Sequence, residues 1–136
     1  MTASFSFAVD RAHGLIRIKM AGLFTSGDIA AFLAARERAH AELGCAPNQH
    51  LTLNDLRGMK IQSQEAVADF RYMLSDPDYR SRRLAFVAGQ TLARTQLLRA
   101  LNGRDDVRCF DDVAEAEAWL LGEAPSARPL PRAAAA

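Results

Sequence analysis

A catalytic nucleophile needs a base within reach, and a metal ion needs three or four ligands at matched spacing. This 136-residue sequence has three histidines, His13, His40 and His50, and two cysteines, Cys45 and Cys109. No two of them stand at a ligand spacing. His13 falls in the turn-like Asp10-Arg11-Ala12-His13-Gly14, His40 on the polar side of a helical pattern, and His50 just ahead of a strand-like run, so all three are expected at the surface. Cys109 with one of these histidines would make a nucleophile-base pair. Its setting, Val107-Arg108-Cys109-Phe110, reads instead as an interior strand, where a free thiol packs as a small hydrophobe. No catalytic residue, metal site or cofactor is expected, and the chain is read as a binding protein, not an enzyme.

The most informative segment is His50-Leu51-Thr52-Leu53-Asn54-Asp55-Leu56-Arg57-Gly58-Met59, followed by Lys60-Ile61-Gln62 and the helix-like Ser63-Gln64-Glu65-Ala66-Val67-Ala68-Asp69-Phe70. An apolar strand that ends in a polar turn and delivers a capped helix N-terminus is a usual address for binding sites in α/β sheets. Asp55, Arg57, Gly58, Met59, Lys60 and Ser63 are therefore the candidate partner surface. Ser63 has a purely structural role open to it as helix N-cap. Phosphorylation there would add about two negative charges at the positive end of a helix dipole. Ile61, Phe70, Met73 and Leu97, together with Met59, supply apolar volume that either fills the core or lines a pocket for a small nonpolar molecule. Gly89-Gln90-Thr91, with Arg94 one turn on, is a second strand-to-helix turn without a nucleotide-binding fingerprint.

These segments must be held by a sheet. Phe5, Phe7 and Val9, then Ile16, Ile18 and Met20, alternate on either side of a short turn, the pattern of a β-hairpin. Thr25-Ser26-Gly27-Asp28 matches a capping box, and the apolar positions Ile29, Phe32, Leu33, Ala39 and Leu43 follow until Gly44 stops the helix. A second helix from Ser63 ends at Asp76-Pro77-Asp78. Leu84-Ala85-Phe86-Val87-Ala88 is an unbroken apolar run, expected of a strand covered on both faces. A third helix is expected around Leu92, Leu97, Leu98 and Leu101, and a last one from Asp112 to Trp119-Leu120-Leu121. The expected strands cover residues 4–9, 14–20, 50–54, 83–88 and 107–110. Their order is β-β-α-β-α-β-α-β-α, an α/β domain with a mixed, mostly parallel sheet covered by helices.

Length and composition suit one domain: 49% hydrophobic residues, 24% charged, and a net charge of +1. The domain is expected over residues 1–122. Residues 123–136, rich in proline and alanine without periodicity, read as a disordered tail. Seven arginines lie between positions 80 and 108, but an acidic run at 111–117 follows, so nucleic acid is not an expected partner. No membrane span or signal sequence is apparent, which gives a cytoplasmic expectation.

The hairpin with residues 10–14 at its turn, the central Leu53-Asn54-Asp55-Leu56-Arg57-Gly58-Met59 and the late Ala114-Glu115-Ala116-Glu117-Ala118-Trp119-Leu120 together resemble a SpoIIAA-like branch of the STAS-domain superfamily. The resemblance spans about residues 4–121. It implies a bacterial, non-catalytic regulatory or protein-interaction domain like the anti-sigma-factor antagonists, with an unknown protein partner. Other STAS domains imply the alternative of a small-molecule sensor, which the apolar residues above would make a binder of a nonpolar, lipid-like ligand; a homodimer stays open. The antagonists carry aspartate, a phosphorylatable serine and glycine at the start of the helix after the third strand. Here Lys60 stands about where the aspartate would be and Gln64 follows Ser63, so only Ser63 carries over, about one residue out of register, and the phosphoacceptor motif is not intact.

Overall fold

The computed structural model describes residues 2–46, 48–89, 94–95, 99 and 104–122. Strands β1 (Ser4–Asp10) and β2 (Leu15–Gly22) form the antiparallel hairpin, and β3 (Leu51–Met59), β4 (Arg83–Val87) and β5 (Val107–Phe110) add to it in parallel. The sheet order is β1-β2-β3-β4-β5. Helix α1 (Ser26–Leu43) connects β2 to β3, α2 (Gln64–Leu74) and a 3-10 turn (Pro77–Tyr79) connect β3 to β4, and α3 (Val113–Gly122) follows β5. Parallel neighbours need a crossover, and right-handed crossovers that step the same way along a sheet put their helices on one face.

The pleat then sorts the side chains. Ile16, Ile18 and Met20 of β2 pack with Ile29, Phe32, Ala39 and Leu43 of α1 and Ala66 and Met73 of α2. Leu15, Leu51, Leu53, Ala85 and Val87 point the other way, onto Ala116 and Leu120 of α3. The edge strand β1 is fastened by Phe5 and Phe7, whose rings lie 5.4 and 5.1 Å from that of Phe32. Both ends of α1 are closed as expected. Thr25 accepts from the Asp28 amide while the Asp28 carboxylate takes the Thr25 amide, and Gly44 ends the helix at φ 69°, a backbone angle that costs glycine nothing.

The strands fall where the residue pattern predicts, with one informative difference. β3 does not stop at Asn54 but runs to Met59, so Asp55, Arg57, Gly58 and Met59, expected in or near a turn, are strand residues. The extension is possible because β2 and β3 stay paired through an irregularity between Lys19 and Ala21, beyond which Ala21 faces Gly58 and Gly22 faces Met59. A Cβ at Gly58 would lie 2.8 Å from that of Ala21, so the close approach requires glycine there.

The histidines are a second correction. His13 is exposed and pairs with Asp10, but His50 is only 3% exposed and His40 is half-buried against it. His50 is satisfied inside by the Ser81 hydroxyl, 3.2 Å from its Nε2. His40 lies four residues after Arg36 and three before Leu43, on the inward stripe of α1, which marks it as facing in. Cys109 is partly buried beside Leu84 and Phe86, and burial pushes its thiol up, away from the reactive thiolate. The third expected helix and the 123–136 tail lie outside the described residues, apart from Arg94, Thr95 and Arg99. Among the described residues no helix is long and apolar enough to cross a membrane.

Candidate functional site

The carboxyl edge of the sheet is where β3 hands the chain to α2. Asp55 is buried at 8% exposure. Its carboxylate takes the Arg57 amide (3.1 Å), the Arg57 Nε (2.9 Å) and the Arg57 Nη2 (2.8 Å), closing a bidentate fork over Leu56. Hydrogen bonding from Arg57 holds the Asp55 carboxyl below the usual range, and the same bond raises the guanidinium. Lys19 and Asp112 add to this field from β2 and from the residue before α3. The pair fixes the direction of an exposed cation.

Residues 60–62 then run beside residues 22–24. The Lys60 amide donates to the Gly22 carbonyl at 3.2 Å. Gln62, 9% exposed, fastens the two segments together: its Oε1 accepts from the Phe24 amide at 3.0 Å, and its Nε2 donates to the Gly22 carbonyl at 3.0 Å and to the Lys60 carbonyl. Side chains that flank this clamp point outward. Leu23 is 43% exposed and Ile61 52%, two of the three large apolar side chains left exposed among the described residues, the other being Tyr72 on α2.

Ser63 follows as the N-cap of α2, its Oγ accepting from the Ala66 amide at 3.1 Å, with Glu65 in the first turn. Phe70 packs edge-on to Phe24 at 5.6 Å between ring centres, and Met73 is in the core. Of the four residues offered for an apolar pocket, then, Phe70 and Met73 face the core, Ile61 faces out, and Leu97 lies outside the described residues. An open groove of about 300 Å³ runs along the other side of α2, lined by Gln64, Val67, Ala68, Arg71 and Arg99.

The candidate surface is thus divided by the sheet edge. Asp55 and Arg57 turn toward the start of α3, whereas Lys60, Ile61 and Ser63 belong to the start of α2, and Gly58 and Met59 are the paired strand between them. Gln62 and Leu23 were missed by the residue pattern. A glutamine in a turn carries no local sign of burial, but the apolar Leu23 just past the end of a hairpin strand was a signal that could have been followed.

Two solved structures share this architecture. An uncharacterised protein of the DUF3478 family with a SpoIIAA-like fold, from Shewanella loihica PV-4, matches with a TM-score of 0.69 over 88% of this chain and 96% of its own, at 19% identity. The fold is SpoIIAA-like. An anti-sigma factor antagonist from Mycobacterium paratuberculosis matches less closely, with a TM-score of 0.54 and 13% identity over 86% of this chain and 94% of its own. No protein-family model matches the sequence, and no curated protein matches it either. The SpoIIAA-like resemblance carried by the hairpin, the central strand and the last helix is met at the level of the fold.

Proposed function

We propose that this SpoIIAA-like domain is a non-catalytic regulatory module that docks a protein partner on the carboxyl edge of its sheet, through Asp55, Arg57, Gly58, Met59, Lys60 and Ser63, with Leu23 and Ile61 as the apolar anchors. The observation that carries this reading is the exposed Leu23 and Ile61 on two segments held rigid by the buried Gln62. A pre-organised apolar pair loses little entropy on association, so more of its burial is kept as binding free energy. The fold shared with an anti-sigma factor antagonist supports a regulatory partner. Docking here does not need a phosphoserine, since Ser63 already has a structural task.

A second reading, capture of a small nonpolar ligand with a polar end, rests on one observation. Asn54 Oδ1, on the sheet face that α1 and α2 cover, is buried without a hydrogen-bond partner. Such an acceptor costs about 1–3 kcal/mol unless a donor reaches it. The test compares the wild type with Ile61→Asp and Ser63→Asp in affinity capture, followed by titration of any recovered protein in purified form, and in parallel with a lipid-like fluorescent probe. Docking predicts a purified complex weakened at least tenfold by Ile61→Asp. Saturable probe binding indifferent to both substitutions and abolished by Asn54→Leu would replace docking with the ligand reading.

A further inference from the structure

At the amino edge of the sheet, far along β3 from the docking surface, two imidazoles meet inside the protein. His40 of α1 stands edge-on to His50, with ring centres 4.4 Å apart, and the His40 ring also meets Tyr79 of the 3-10 turn at 4.9 Å. His50 Nε2 contacts the Ser81 Oγ, which is 2.6 Å from the Thr52 Oγ1. These contacts fasten residues 76–82, a strap between α2 and β4, onto α1 and β3. The strap is also held by the Asn48 side-chain amide, which donates to the Pro77 and Arg80 carbonyls, both at 2.8 Å, by the Arg82 amide, which donates to the His50 carbonyl at 2.8 Å, and by Arg80, whose Nε donates to Asp106 at 3.1 Å.

We propose that the edge-on His40–His50 pair is an acid-sensitive latch, whose protonation releases the 76–82 strap from α1 and β3. The charges around the pair offer an added proton no compensation. From α1 the facing cation is Arg36, whose guanidinium lies 4.1 Å over the Tyr79 ring and 3.7 Å from Asp76. Asp76 is thereby committed to Arg36. The Tyr79 face, which would otherwise welcome an imidazolium, already holds a cation. From β3 and the strap, Thr52 and Ser81 bring hydroxyls only. A protonated His50 keeps its bond to Ser81, which can pass its own hydrogen to Thr52, so hydrogen bonding survives while the charge stays unpaired.

Burial first, then His50 and Arg36, push His40 down to about 4, and burial lowers His50. The sign follows from these directions. Above the ordinary histidine value near 6.5 both states are neutral and the latch is fully closed. Below it the open form takes protons that the closed form refuses, so closure weakens from about pH 6.5 downward until His40 titrates in place near pH 4.

The test is amide hydrogen exchange by NMR, corrected for intrinsic rates, between pH 7.5 and 5, reading Tyr79 and Arg82 against Leu53 in the sheet. The expected result is a fall in strap protection on the order of 30-fold from His40 at pH 5, with a further fall from His50, while Leu53 stays the better protected at every pH. In His40→Phe, which keeps an aromatic edge on Tyr79, the fall should shrink to the His50 share. An equal fall in His40→Phe, or pH-independent strap protection in the wild type, overturns the latch. Should His40→Phe fold poorly, imidazole titrations of the wild type decide alone: both rings titrating near 6.5 with strap shifts unmoved would also overturn it.

Discussion

Single side chains at the carboxyl edge differ in how far their influence reaches. Ser63 serves one helix end, so Ser63→Ala should cost about 1 kcal/mol and leave residues 22–24 undisturbed. Gln62 bridges segments 38 and 40 residues apart, and its loss strands the buried Phe24 amide. Gln62→Ala is therefore expected to cost about 1–3 kcal/mol in denaturant unfolding, and to broaden the NMR signals of Leu23 and Ile61. A Gln62→Ala variant as stable as the wild type would show that the clamp is incidental. This contrast also explains what the sequence discloses. A cap such as Ser63 is readable because its partner lies three residues away, whereas the burial of Gln62 and His50 depends on chain segments that only the fold brings near.

Elements were easier to read than their ends. Each strand was visible in its alternation or its apolar run, yet the last five residues of β3 were not, because Gly58 looks like a turn residue until Ala21 is seen pressed against it. Where elements meet, ion pairs set the order. Asp106, just before β5, takes the Arg104 guanidinium at 2.8 Å and Arg80, which precedes β4, at 3.1 Å. Hydrogen bonding from Arg104 holds its carboxyl at about 2, against an ordinary value near 4. A depressed carboxylate contributes its stability in full above the ordinary value and surrenders it as pH falls from about 4 through 2. Thermal unfolding followed from pH 5 to 2 should show this loss, on the order of 1 kcal/mol once solvent screening of the partly exposed pair is allowed for. Asp106→Asn should be less stable at pH 5 and flatter across that window; an identical acid slope in the variant would assign the transition to other carboxylates.

For the molecule as a whole, Ala116 and Leu120 of α3 are already buried against the sheet among the described residues that precede position 123. We propose that removal of residues 123–136 leaves the melting temperature within about 2 °C, checked by calorimetry on the two chains. A drop of 10 °C would place the segment on the domain.

The unbroken strand order, in which every neighbour in the sheet is also the next strand in sequence, has a consequence for how the chain reaches this state. No pairing has to wait for a distant one, since each new strand closes only the loop of its own crossover, and closure entropy grows slowly with such loops. Assembly can proceed as a zipper from the β1–β2 hairpin, one crossover at a time. Growth in that direction is also the direction of synthesis, so each strand of a nascent chain can pair with the one before it as it leaves the ribosome, and the layer under α3 closes last.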